Sequence, residues 1–123
     1  MANQIIKGRF YLNNGDIFEG TVADNFKLVE GKYSSKTWNY TGGFKTTATD
    51  GWLGRYYTFT FEGKGLLNFK TLNNVKCQYE GSFLEGNLDG QGTLVISFNL
   101  PAQKKIAGKW VQGELVQLDE SHQ

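Results

Sequence analysis

The sequence predicts an all-β fold: a single curved antiparallel sheet made of consecutive β-hairpins. Three observations carry this expectation. Glycine occurs 16 times against one proline, and aromatic residues make up 15% of the 123. Glycine with aromatics, Thr and Val favours strands and turns. No window sustains an apolar period of 3.6 residues between helix caps. Finally, one frame of glycines and aromatics recurs along the chain, which marks a repeat architecture.

The frame is clearest from Tyr79 to Leu94, with Tyr79, Gly81 and Phe83, then Gly86, Gly90 and Gly92. It recurs from Phe18 to Tyr33, where Phe18, Gly20 and Val22 open the unit and Val29, Gly31 and Tyr33 close it. Asn25 and Val29 stand in places that hold glycine in the other copy. Phe18 to Gly31 spans 13 positions, as does Tyr79 to Gly92. A third copy opens at Tyr40, Gly42 and Phe44 and closes at Gly63 and Gly65. Here the same interval is 25 positions, so 12 residues are inserted. A partial copy at Ile6–Phe10 precedes these units, and another at Ile106, Gly108 and Trp110 follows them. Leu67 to Tyr79 and Leu94 to Ile106 are both 12 positions, so the linkers keep the phase.

This pattern resembles the MORN repeat (membrane occupation and recognition nexus), Tyr-x-Gly-x-aromatic-x-x-Gly-x-x-x-Gly-x-Gly-x-aromatic. The resemblance spans roughly residues 6–113. It divides residues 1–118 into full units at about 18–39, 40–78 and 79–105, with partial units at 6–17 and 106–118. Residues 119–123 fall outside, and the polar chain from Gln117 onward is expected to fray.

Alternation puts Tyr79, Gly81 and Phe83 on one face and Glu80 and Ser82 on the other. With a turn over Gly86–Asp89, Tyr79 falls opposite Leu94, Gly81 opposite Gly92, and Phe83 opposite Gly90. A ring lying over a strand glycine pins register, and Phe83 on Gly90 is expected to do so. The equivalent pairs are Phe18 with Tyr33 and Val22 with Val29. On the polar face Glu19 is opposite Lys32 and Glu80 opposite Thr93, with Arg9 and Lys109 projecting the same way. Asn14-Gly15 marks a short hairpin between Phe10–Asn13 and Asp16–Glu19. Pro101 belongs to the loop before Ile106. Trp38 and Trp110 read as rings of the core.

Composition narrows the function. Thirteen Lys and Arg against 12 Asp and Glu leave a net charge of +1, without the basic excess that nucleic-acid binding needs. No apolar run reaches the ~18 residues of a membrane span, and Met1–Gln4 lacks the start of a signal peptide. A single cysteine, Cys77, fits a reducing, cytoplasmic compartment and reads as a packed thiol. The one histidine, His122, is too near the end to serve as its base. Asp50, Glu85 and Asp89 lie near turns but form no marked acid and base pair. Gly63-Lys64-Gly65 and Gly90-Gln91-Gly92 resemble phosphate loops, but strands follow them rather than a helix N-terminus. The expectation is no catalytic set, no metal and no cofactor.

What remains is binding. The inserted segment 45–57 is the part a regular unit does not need. It collects Trp52, Arg55, Tyr56 and Tyr57, residue types that anchor interfaces, and Trp38 is a further candidate. Either this loop folds back so that Trp52 covers one end of the core, or it meets a partner. The leading expectation is a protein–protein interaction module. MORN resemblance implies an interaction scaffold and allows a homodimer, and open sheet edges allow edge pairing. The family name also suggests phosphoinositide membranes, for which Lys104, Lys105 and Lys109 are the available cations. A glycan or small-molecule site on exposed rings, or a small viral or bacterial inhibitor that blocks a partner's active surface, completes the set.

Overall fold

The computed structural model describes residues 5–23, 27–97 and 101–119. Its elements are β1 (Ile6–Tyr11), β2 (Ile17–Ala23), β3 (Lys27–Ser34), β4 (Trp38–Gly51), β5 (Gly54–Lys70), β6 (Lys76–Leu84), β7 (Asn87–Ile96), β8 (Lys104–Val111) and β9 (Glu114–Leu118). Each strand pairs antiparallel with the next in chain order, forming one sheet that is not closed into a barrel.

A line of glycines crosses this sheet. Gly8, Gly20, Gly31, Gly42, Gly65, Gly81, Gly92 and Gly108, one from each of β1 to β8, face one another strand by strand without a break. A second line runs beside it through Phe10, Phe18, Tyr33, Tyr40, Leu67, Tyr79, Leu94 and Ile106. Side chains two positions apart on a strand share a face, so the large residues stand next to bare backbone. Tyr40 and Tyr79 lean over it. A Cβ on Gly65 would meet the Tyr40 ring, and one on Gly92 the Tyr79 ring. Each phenol then donates a hydrogen bond three residues on, Tyr40 to the Gly43 carbonyl at 3.0 Å and Tyr79 to that of Ser82 at 3.2 Å. Thus the ring that covers glycine is the tyrosine at the start of the unit, not Phe83 on Gly90 as expected.

Past the glycine line each hairpin slips. Register shifts occur at Thr21/Val22, Gly42/Gly43, Gly81/Phe83 and Lys109/Trp110, within β2–β3, β4–β5, β6–β7 and β8–β9. Val22 therefore faces Leu28 rather than Val29, and Phe83 faces Leu88 rather than Gly90. The β6–β7 turn is also tighter than the expected Gly86–Asp89. It consists of Glu85 and Gly86, both left-handed at φ 51° and 86°, between paired Leu84 and Asn87. Such turns match the twist of the flanking strands. The residues displaced from the turn are taken up in the bulge, where Gly90 adopts φ of 96°, and Gly63 at φ 76° holds the same place in the β4–β5 bulge. This separates the two glycines of each Gly-x-Gly: the first allows the bulge, the second makes room for tyrosine. Val29 is tolerated in the first place because the β2–β3 slip is one residue shorter.

Bulging on one strand of each hairpin bends the sheet toward the rings. Strands two apart in a flat sheet are separated by roughly 9.6 Å. Yet ring centroids on such strands approach to 5.4 Å for Phe18–Phe44, 5.1 Å for Tyr40–Phe83 and 5.8 Å for Tyr79–Trp110. Tyr40 stacks on Phe61 at 3.9 Å. The buried core is this inner row of rings with Val22. Trp110 belongs to it, and its indole N–H donates to the Gly92 carbonyl at 3.1 Å. Tyr33 donates to Asp16 at 2.7 Å, tying the front turn to β3.

Other expectations are met in register: Phe18 with Tyr33, Tyr79 with Leu94, Gly81 with Gly92, Glu19 with Lys32 and Glu80 with Thr93. The front turn at Asn14-Gly15 forms, with the Asp16 N–H donating to the Asn14 side chain at 2.9 Å. Cys77 is buried. The chain beyond Gln117 is held further than expected, since β9 runs to Leu118 and the Asp119 N–H donates to the Ala107 carbonyl at 2.9 Å. Pro101 lies in a turn, while Asn25, His122 and residues 1–4, 98–100 and 120–123 lie outside the described residues.

Ring packing over one glycine and backbone geometry alone at another predict different costs for a methyl group. Gly92→Ala should lose roughly 1–3 kcal/mol in urea unfolding, because the added methyl has no space beneath Tyr79. Gly113→Ala, with nothing within 4 Å but φ of +84°, should lose only about 1 kcal/mol from backbone strain. Burial pushes the Tyr40 phenol from 10.0 up to about 12, and raises Tyr33 and Tyr79 in the same direction. A phenol raised in the fold stays protonated while the unfolded chain ionises. Its stabilisation is therefore complete below pH 10 and is lost as pH rises toward 12. Unfolding midpoints measured across this window should fall, and Tyr40→Phe should flatten the slope.

Candidate interaction surfaces

The inserted residues do not form a loop. They extend β4 and β5 into a paired arm, in register from Lys45 opposite Thr60 to Gly51 opposite Gly54. Thr46, Thr47, Thr49, Thr58 and Thr60 populate it, and such β-branched residues favour strand backbone. Only Trp52 and Leu53 form the turn, at the tip of the arm. Both are almost bare: Trp52 is 95% and Leu53 89% exposed. Trp52 therefore does not cap the core. Just behind the tip the Arg55 Nε–H donates to Asp50 at 2.8 Å, across a directly paired position. Such an exposed pair adds little stability, but it braces the turn.

The expected binding residues do not form one cluster. Trp38 is half-buried at the opposite end of the same hairpin, paired with Phe69, and stacks flat on Tyr33 at 5.1 Å. Its neighbours are Phe61 and the core, as expected for a core ring. The Tyr56 and Tyr57 backbones pair with Thr49 and Ala48, and their side chains lie outside what the structure describes. Trp52, Leu53 and the Asp50–Arg55 brace thus remain as the tip.

Two further surfaces stand apart from the tip, an apolar cleft that spacing did not suggest and a shallow trough on the charged face, where Arg9 and Glu19 read as part of a polar docking surface. At the base of the arm Thr46, Thr58 and Phe59 wall a largely apolar cleft of about 480 Å³, whose other side is Phe10, Leu12, Val22 and Leu28, with Arg9 and Tyr11 completing the lining. Thr46 holds this wall in place by donating to the Leu28 carbonyl at 3.3 Å. Phe10, Val22 and Phe59 each carry an apolar signal in the sequence. Their convergence depends on the curl of the sheet and could not be read from spacing.

The second surface is a shallow polar trough of about 710 Å³ along the glycine line, bordered by Lys7, Arg9, Glu19, Glu30, Thr41 and Lys64. It continues past Lys64 toward Glu80, Ser82 and Gln91. Arg9 lies 3.6 Å from Glu19, so that carboxylate is shared with β1 as well as standing opposite Lys32. The signs alternate, and no patch of one charge results. Lys104 and Lys105 are successive in β8 and so point to opposite faces. Among the described residues no three His, Cys, Asp or Glu side chains converge on a common point, and no helix is long and apolar enough to cross a membrane.

A scan against models of known protein families finds no match for this chain, and no curated protein matches it.

The exposure of the tip and the burial of the core ring give opposite mutational signatures. Trp52→Ala should change the unfolding free energy by less than about 0.5 kcal/mol. Trp110→Ala should lose about 3–5 kcal/mol. Urea titration followed by far-UV circular dichroism checks both.

Proposed function

We propose that this chain is a non-catalytic, MORN-type binding module whose contact element is the tip of the β4–β5 arm. The observation that carries the reading is the pair Trp52 and Leu53, 95% and 89% exposed on a braced two-residue turn. An arm of paired strand beyond the repeat holds two large apolar side chains in water. Exposing them together costs free energy that a partner recovers on binding. Tryptophan in a rigid setting is also the residue type that most often anchors an interface.

The MORN-type assignment is supported by the recurrence of tyrosine on glycine at Tyr40 and Tyr79, and by the unbroken line of glycines that joins the units. A protein partner is favoured over a phosphoinositide surface. Lys104 and Lys105 face apart, and the polar trough mixes both signs of charge. An inhibitor that occupies another protein's active surface is one form of the same reading, with the tip as the inserted element.

Affinity capture from the native host tests this. The wild-type chain should retain a specific protein, and Trp52→Ala, folded to the same melting temperature, should lose it. Equal capture by both proteins would refute the tip as the contact element.

A further inference from the structure

The tip and one wall of the apolar cleft belong to the same hairpin, and the structure satisfies neither tip nor cleft. We propose that the occupant of the cleft is the Trp52–Leu53 tip of a second copy of this chain, and that two copies exchange tips reciprocally. This rests on the reading of the tip as a binding element and names its partner.

A chain cannot fill its own cleft. Thr46 and Thr58 form the cleft wall, and Trp52 stands six residues beyond Thr46 along paired strand. At roughly 3.3 Å per residue the tip is about 20 Å from the wall. Bending it back would break the ladder from Thr47–Thr58 to Gly51–Gly54. A second molecule has no such constraint. Tip and cleft lie at the two ends of one arm, so two arms laid antiparallel bring each tip to the other molecule's cleft. The relation is a two-fold, and the contact closes on itself rather than growing into a filament.

Size agrees with this arrangement. A volume of about 480 Å³ lies in the range of sites that enclose a compact apolar group. One tryptophan buries roughly 150–250 Å². With Leu53 and the facing cleft wall, a single insertion removes on the order of 400–500 Å² from water, well below the ~1,000 Å² of a specific interface. Two reciprocal insertions bring the total to roughly 800–1,000 Å², which reaches the lower bound of a specific interface and the size of a weak, reversible one. The area thus favours the closed pair over a one-sided contact. The chemistry agrees as well: an indole and an isobutyl group on one side, and Phe10, Leu12, Val22, Leu28 and Phe59 on the other.

Sedimentation velocity with light scattering tests the proposal on the full chain, up to roughly 500 µM, well above the micromolar dissociation constants of weak interfaces of this size. Wild type should dimerise with concentration. Trp52→Ala should weaken association by at least about thirtyfold, the loss typical of a central anchor. Thr58→Arg, at an exposed cleft position, should do the same by blocking the opening. Melting curves of both variants should overlay the wild type. The proposal is overturned by a wild type that stays monomeric. It is also overturned by a dimer that either variant leaves intact; a dimer insensitive to both would be pairing elsewhere, as through an open edge at β1 or β9. Failure of this inference and failure of the broader reading remain distinct. A monomeric wild type whose host partner is lost on Trp52→Ala removes only the second copy as partner. A Trp52→Ala protein that keeps both dimer and captured partner removes both.

Discussion

The contact on which the rest of this structure depends is a tyrosine ring laid over the bare backbone of two paired glycines. Tyr40 covers Gly42 and Gly65, and Tyr79 covers Gly81 and Gly92. Any side chain at those glycines would lift the ring. Lifting it would break the phenol's hydrogen bond three residues along, and would remove the ring from Phe44, Phe61 and Phe83 or from Phe83 and Trp110. Each such aromatic pair contributes about 0.5–1.5 kcal/mol beyond the area it buries. A sheet with one solvated face has no second layer to cover its rings, so it must curl and let them cover each other. The glycine line is where that curl is permitted.

Curling also explains why the bulges fall where they do. Every slip lies within a repeat hairpin and just beyond the glycine line. The joints β1–β2, β3–β4, β5–β6 and β7–β8 keep unbroken register. A hairpin that bends must place more residues on one strand than on the other, and the bulge supplies them. The joints carry no such demand, since there the glycine and aromatic lines pass straight across. The repeat is thus a bent hairpin, and the array is a series of bends joined by flat seams.

On this scaffold the arm is an addition rather than a disruption. Twelve extra residues in the third unit leave the glycine line intact on both sides, at Gly42–Gly65 and Gly65–Gly81. They prolong the same two strands past the bend. This has two consequences. The base of the arm, through Thr46, Thr58 and Phe59, faces Phe10, Leu12, Val22 and Leu28 and so closes an apolar cleft that shorter units would leave open. The end of the arm carries Trp52 and Leu53 out of reach of the core. One insertion therefore creates both the exposed apolar group and the space that could receive it.

Much of this was already present in the order of residues. The recurrence of aromatic, Gly and aromatic at fixed offsets determined the hairpins, the pairing of Phe18 with Tyr33 and of Tyr79 with Leu94, and the place and length of the insertion, because strand periodicity and spacing are local properties of a chain. Local spacing could not determine what happens once the sheet bends. It put Phe83 on Gly90, where the bulge puts Tyr79 on Gly92 and pairs Phe83 with Leu88. It read the insertion as a loop, where pairing between two threonine-rich segments makes an arm. It grouped Trp38 with Trp52, which stand at opposite ends of one hairpin. The cleft was decided by tertiary structure alone, since its residues come from β1, β2, β3 and the arm and meet only because the curl brings distant strands together.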